Sequence, residues 1–320
     1  MRFVTIALAA VMFGASCAGV GRPQVQNAPR PPGASLWVEP TDIASRDLYN
    51  GPWGAANAPD PKDVYELVEL KHTGVNLGMT VKDSKGREWS VKQPFPGNLD
   101  SEAPVEVVVS RLLSAIGYHQ PPVYHLPAFT LKDDFGRHVE TGGRFRLKID
   151  KIKEVDVWDW ASNPFVGTKE YQGLIVLLTM FNSTDLKDSN NSLYERKEGD
   201  FVEQLYLARD VGSAFGDTQR IAPRKNHIES FEKMPFILGV NDKGFVEFAY
   251  NGWYRNLTRD RITPAEVAWA ANLIGQLSDR QMQDAFRAGG YEPDVAARFI
   301  TKIREKAQQG RSLTLAAARN

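Results

Sequence analysis

Strand signals fill the front half of this chain and helix signals fill the back half, and that asymmetry constrains its fold more than any single motif. From Tyr65 the chain reads YELVEL, HTGVNLG, MTVKD, SKGR and EWSVKQ. These give three short strand candidates, the last two joined by a Lys/Gly turn. Between Asp100 and Ile116, Val105, Val108, Val109, Leu112, Leu113 and Ile116 recur at helical spacing, and Gly117 closes that helix. PPVYHLPAFTL and RFRLKI are further strand candidates. TKEYQGLIVLLTMF (168–181) reads as a buried helix despite Gly173, followed by the polar loop NSTDLKDSNN and the strands SLYE and VEQLYLA. Beyond that, Thr263-Pro264-Ala265-Glu266 and Ser278 with Gln281 are capping boxes, Gly289-Gly290 stops a helix and Pro293 opens another. The expected fold class is α+β with two lobes, a strand-rich N-lobe over 41–150 and a helical C-lobe over 151–310, with 311–320 as a tail.

The start of the chain reads differently. Arg2, an apolar run from Phe3 to Phe13 and the small residues of Gly14-Ala15-Ser16-Cys17 have the form of a secretory signal peptide over 1–16, too short to span a bilayer. Gly14-Ala15-Ser16-Cys17 resembles a bacterial lipobox, with Gly14 where Leu is usual, and predicts lipidation of Cys17. Ordinary cleavage after small residues is the alternative. Cys17 is the one cysteine in 320 residues, which excludes an intramolecular disulfide and any Cys-based zinc cluster. Residues 17–40 are proline-rich and read as a tether. The expected location is therefore the bacterial cell envelope, or secretion, with membrane contact only through the lipid. With 39 basic and 39 acidic side chains, the chain lacks the surplus of charge that nucleic-acid or anionic-membrane binding requires.

Three fragments stand out together. Val91-Lys92 ends a strand and is followed by a helix carrying Glu102 and Glu106. Asp185-Leu186-Lys187-Asp188-Ser189-Asn190 fills the loop after the buried helix. Asp210-Val211-Gly212 directly follows a strand. This order resembles the protein-kinase fold: a strand lysine, a D-L-K-x-x-N catalytic loop and a D-x-G metal loop. The resemblance covers roughly residues 60 to 250. GYHQPPVYHLP, NPFVGTKEYQGL, STDLKDSNNSLYE and RDVGSAFG resemble bacterial secreted proteins with a kinase-like fold, distantly similar to HipA-like and secretory-pathway atypical kinases.

The resemblance implies a phosphotransferase using ATP or another nucleotide with Mg²⁺ or Mn²⁺, acting on a protein, glycan or small-molecule acceptor. Phosphoryl transfer needs positioning and charge neutralisation, so each residue type has a task. Lys92 would touch the phosphates, held by Glu106; Glu102, one turn earlier on the same face, is the alternative partner. Asp185 would accept the hydroxyl proton, and Lys187 would steady the transferring group. Asn190 and Asp210 would hold the metal through oxygen, and Gly74 and Gly78 would let backbone approach the nucleotide.

The sequence also departs from the kinase pattern. Ser183-Thr184 replaces the His-Arg before the catalytic Asp, which removes the docking point for a phosphorylated loop. Val211 replaces Phe in the metal motif, only two glycines mark the nucleotide loop, and the long interval from Asn190 to Asp210 implies an extended hairpin. These changes leave a second reading open, a catalytically inactive kinase-fold binding or scaffold lipoprotein. Trp158 and Trp160 are expected to pack near the lobe junction, and Lys302, Arg304 and Lys306 to form the solvated face of the last helix. The five histidines, with no metal-ligand spacing, are expected in structural or surface roles.

Overall fold

The computed structural model describes residues 30–71, 77–94 and 101–317. The signal segment 1–16, Cys17 and Gly74 lie outside these described residues. The front half contains β1 (Ala34–Ser35), β2 (Val64–Lys71), β3 (Leu77–Lys82), β4 (Glu88–Gln93), α1 (Glu102–Ala115), β5 (Val123–Asp133) and β6 (Gly136–Leu147). Next come β7 (Ile152–Asp156), α2 (Lys169–Met180), β8 (Asn191–Glu198) and β9 (Phe201–Ala208). The chain finishes with α3 (Ile228–Lys233), β10 (Ile237–Val240), β11 (Val246–Phe248), α4 (Pro264–Gly275), α5 (Asp279–Ala288) and α6 (Pro293–Ala317). The fold is α+β, strand-rich at the front and helical at the back.

Strands β2 to β6 close a five-stranded barrel in the order β2-β3-β4-β6-β5, sealed by parallel pairing of β2 with β5. Period-two alternation explains its interior: Met79, Val81, Trp89, Val91 and Phe145 point inward with Tyr65 and Phe129. The alternate positions, Ser90, Lys92, Arg144 and Arg146, therefore lie on the outer wall, where β4 pairs Ser90 with Arg146 and Lys92 with Arg144. That wall is polar. A second, four-stranded sheet has the order β1-β9-β8-β7. The extended hairpin expected between Asn190 and Asp210 is β8 and β9, with eight residues in each strand.

Helices α4 and α5 begin at the expected caps, with reciprocal bonds between Thr263 and Glu266 and between Ser278 and Gln281. Helix α1 departs from the lobe division expected at residue 150. Val105, Val108, Val109 and Leu112 join the large helical core rather than the barrel core. Close approach of α5 is possible because Gly289 lacks a side chain: a Cβ there would sit 2.8 Å from the Pro104 carbonyl oxygen and 2.9 Å from Val108. Each fully buried Val or Leu contributes about 1.5–3 kcal/mol, so this face anchors α1 to the helical body.

Two boundaries are corrected. Residues 34–37, expected within the tether, are packed. Ala34 and Leu36 are buried, β1 pairs in parallel with β9, and Trp37 donates its indole N–H to the Ile116 carbonyl at 2.7 Å. The tail expected over 311–320 is helical through Ala317, as the end of α6. Trp158 and Trp160 are buried with ring centroids 4.7 Å apart, and Trp158 donates to the Leu207 carbonyl. Among the described residues no helix is long and apolar enough to cross a membrane.

Candidate active site

Lys92 leaves the outer barrel wall near the end of β4, and its ammonium lies 2.8 Å from Glu102 Oε2 in the first turn of α1. Glu106, the expected partner, instead meets the Arg144 guanidinium at 3.0 Å in a pair that is almost fully buried. The reason is helical geometry. One turn deeper into α1, Glu106 faces Arg144 on β6, while Glu102 faces the open end of the cleft. Both carboxylates still act on the lysine. Burial pulls its pKa down, but Glu106 and Glu102 outweigh that and hold it above the ordinary lysine value.

Glu102 is a hub. It also accepts from Lys225 and, at 2.7 Å, from the Ser213 hydroxyl, just past the D-V-G loop. Burial would raise its pKa, yet the two lysines bring it down to about 2. Gly212 permits this contact, because a Cβ there would stand 2.7 Å from the Glu102 carbonyl oxygen and 2.9 Å from its Cβ. Gly78 has a comparable role in β3, where the stem of Lys71 crosses it and an added Cβ would lie 3.3 Å from Lys71 Cβ.

Helix α2 delivers the second half of the site. Asn182 turns the chain out of α2 at a φ of 57°, a left-handed conformation that asparagine tolerates. Its amide donates to the Gly216 carbonyl at 2.7 Å, tying the two loops together. Lys306, expected on a solvated helix face, is fully buried. It donates to the Met180 carbonyl and to Asn182 Oδ1, both at 2.9 Å, and lies over the Phe231 ring. Below the loops, Phe215 stacks on Phe286 with centroids 5.6 Å apart, fixing the exit of the D-V-G loop to the core.

Asp185, Asn190 and Asp210 line one small cavity together with Ser183, Arg209 and Ser213. Backbone bonds lock the loops in place: Thr184 N–H to Ser213 O at 2.8 Å, and Arg209 N–H to Asn190 O at 2.9 Å. Asn190 donates its side-chain N–H to the Asp185 carbonyl at 2.8 Å, which leaves its amide oxygen as the group suited to a hard cation. Asp210 sits at a φ of 53°, an uncommon conformation for an aspartate, and such strain clusters at functional sites. Burial would raise its pKa, but Arg146, Lys92, Arg144 and Arg209 hold it below the ordinary value. This oxygen donor set, one ionised carboxylate and one amide on a shared cavity, fits Mg²⁺ or Mn²⁺. Lys187 is half exposed and pairs with Asp185 Oδ2 at 3.1 Å.

Asp185, Asn190 and Asp210 thus line one cavity, and Lys92 stands close enough to Asp210 for the two charges to act on each other, whereas Glu106 is paired with Arg144. The sequence reading missed Lys225, Arg146, Arg209 and Lys71. Lys225 had no local signal, since it reaches Glu102 from 123 residues away. Arg144 and Arg146 did have one, because the alternation in RFRLKI puts two arginines on the same strand face.

No protein-family model matches the chain, and no curated protein matches it by sequence. Among solved structures, the chain is similar to the Helicobacter pylori proinflammatory kinase CtkA, with a TM-score of 0.41 and 10% sequence identity over 78% of this chain and 95% of that one.

Proposed function

We propose that this chain is a kinase-like phosphotransferase that moves the terminal phosphoryl group of ATP or another nucleotide to a hydroxyl-bearing acceptor, and that it is exported, with Cys17 as its lipid anchor. One observation carries the reading: the Lys92–Glu102 ion pair is tied through Ser213 to the cavity that Asp185, Asn190 and Asp210 line. In this reading Lys92 binds the phosphates and Glu102 holds its ammonium in place. The acceptor oxygen attacks the terminal phosphorus, the bond to the bridging oxygen breaks, the nucleoside diphosphate leaves, and the acceptor proton passes to the Asp185 carboxylate. Asn190 and Asp210 would hold Mg²⁺ or Mn²⁺, which supplies neutralisation of phosphate charge when bound. Lys187 steadies the transferring group.

A second reading, a nucleotide-binding or scaffold protein without catalysis, draws support from Arg146, whose guanidinium stands 3.9 Å from the Asp210 carboxylate where a metal would sit. Measuring nucleoside-diphosphate release from Mn²⁺·ATP decides between them. Phosphotransfer predicts slow turnover that Asp185→Ala lowers at least a hundredfold with binding retained. Nucleotide binding with no turnover in either protein supports the second reading and overturns the first.

A further inference from the structure

Among the described residues of the cleft, Arg146 and Lys71 are only loosely engaged. Arg144 is taken by Glu106, Lys148 by Glu88 at 3.0 Å, and Arg209 by Glu154. Arg146 is held more loosely: among the described residues its carboxylate contact is Asp210 at 3.9 Å, beyond hydrogen-bond reach, and its buried Nη1 has no hydrogen-bond partner. Lys71, laid across Gly78, brings its ammonium to 3.4 Å from Ser90 Oγ, a weak contact. Lys71, Ser90, Arg146 and Tyr194 line one cavity of about 900 Å³ between the barrel wall and the β7–β9 sheet. The barrel side of that cavity is cationic, and burial together with neighbouring arginines depresses the pKa values of both Lys71 and Arg146.

A buried guanidinium nitrogen without a hydrogen-bond acceptor is costly, and phosphate oxygens match the fork of donors it belongs to. We propose that Lys71 and Arg146 form an oligophosphate subsite that extends the Lys92 site along the barrel wall. The identity of the ligand as a nucleotide rests on the phosphotransferase reading; the anion subsite does not. Asp210 links the two. When its carboxylate is committed to a divalent cation, Arg146 loses its nearest counter-charge and the subsite gains in anion affinity. Without metal, Asp210 competes with the anion.

The test is calorimetric titration of the full mature chain with inorganic tripolyphosphate in EDTA. The subsite predicts saturable binding that weakens with salt, falls at least tenfold in Arg146→Gln and in Lys71→Gln, and is kept in Lys197→Gln on the exposed end of β8. It also predicts that Asp210→Asn tightens metal-free tripolyphosphate while abolishing Mg²⁺·ATP binding, two effects of opposite sign. Competitive displacement by metal-free ATP assigns the subsite to the nucleotide's own phosphates, and simultaneous binding assigns it to a phosphorylated acceptor. Absence of metal-free binding, or Arg146→Gln and Lys71→Gln both within twofold of wild type, overturns the subsite. If Arg146→Gln does not fold, Lys71→Gln and the charge-conserving Arg146→Lys decide. Tripolyphosphate binding without any Mg²⁺·ATP binding retains the subsite and sinks the phosphotransferase reading instead.

Discussion

Lys92 on β4 and Glu102 in the first turn of α1 stand 2.8 Å apart, and Glu102 is shared with Lys225 and Ser213 beyond the D-V-G loop. One carboxylate therefore reports to the barrel, to α1 and to the D-V-G loop at once. Replacing it should disturb ligand binding more than stability. Glu102→Gln is expected to lower nucleotide affinity at least tenfold while shifting the melting temperature by only a few degrees. Titration of nucleotide into the folded variant checks this; unchanged affinity would remove Glu102 from the site.

Glu106 should behave in the opposite way. It pairs with Arg144 where neither side chain reaches water, so removing one partner strands a buried charge at a cost of about 3–5 kcal/mol. Glu106→Leu and Arg144→Met should each be strongly destabilised, and the double variant much less than their sum. Additive losses in urea unfolding would show that the pair is not coupled.

Two histidines make the fold sensitive to acid. His119 shares a 2.7 Å hydrogen bond with the Ser35 hydroxyl, and His125 packs on Gly290; burial brings each pKa down to about 4. Because the folded values lie below the ordinary 6.5, this stability is fully present above pH 6.5. It is lost as pH falls toward 4, since the unfolded chain gains protons that the folded chain refuses. The loss is up to about 3 kcal/mol per histidine. Urea midpoints at pH 7 and 4.5 should differ accordingly, and His119→Gln should narrow the difference. Equal midpoints in the two proteins would contradict this.

Lys306 carries its donors to Met180 O and Asn182 Oδ1 from the middle of α6. Lys306→Met leaves two buried acceptors short of a donor, a loss of about 1–3 kcal/mol. Amide hydrogen exchange across residues 182–190 should accelerate. Protection equal to wild type would mean that the lysine does not hold the loop.

What the sequence revealed followed the range of its signals. Caps at Thr263 and Ser278, the buried run of α2 and the ordered triad Lys92, Asp185 and Asp210 are local patterns, and each could be read directly. The choice between Glu102 and Glu106 was not local. Both lie on one helix face, and the partner was set by Arg144 emerging from β6 behind the cleft. Lys306 shows the same limit: its helical position looks exposed until α6 is packed against the end of α2. The packing of Ala34 and Ser35 was hidden because their pairing with β9 joins residues 170 positions apart. Lys225 and Arg146 belong to the site only through the tertiary fold.

The central claim, that Lys92 and Asp210 serve one nucleotide–metal site, is tested most directly by the melting temperature of the protein with ATP plus Mg²⁺ or Mn²⁺. Ligand at a hundred times its dissociation constant stabilises the folded state by about 2.7 kcal/mol. The account predicts a clear upward shift that requires both nucleotide and metal and vanishes in Asp210→Ala and Lys92→Met. No shift with any nucleotide, or a shift of the same size in Asp210→Ala, would contradict it.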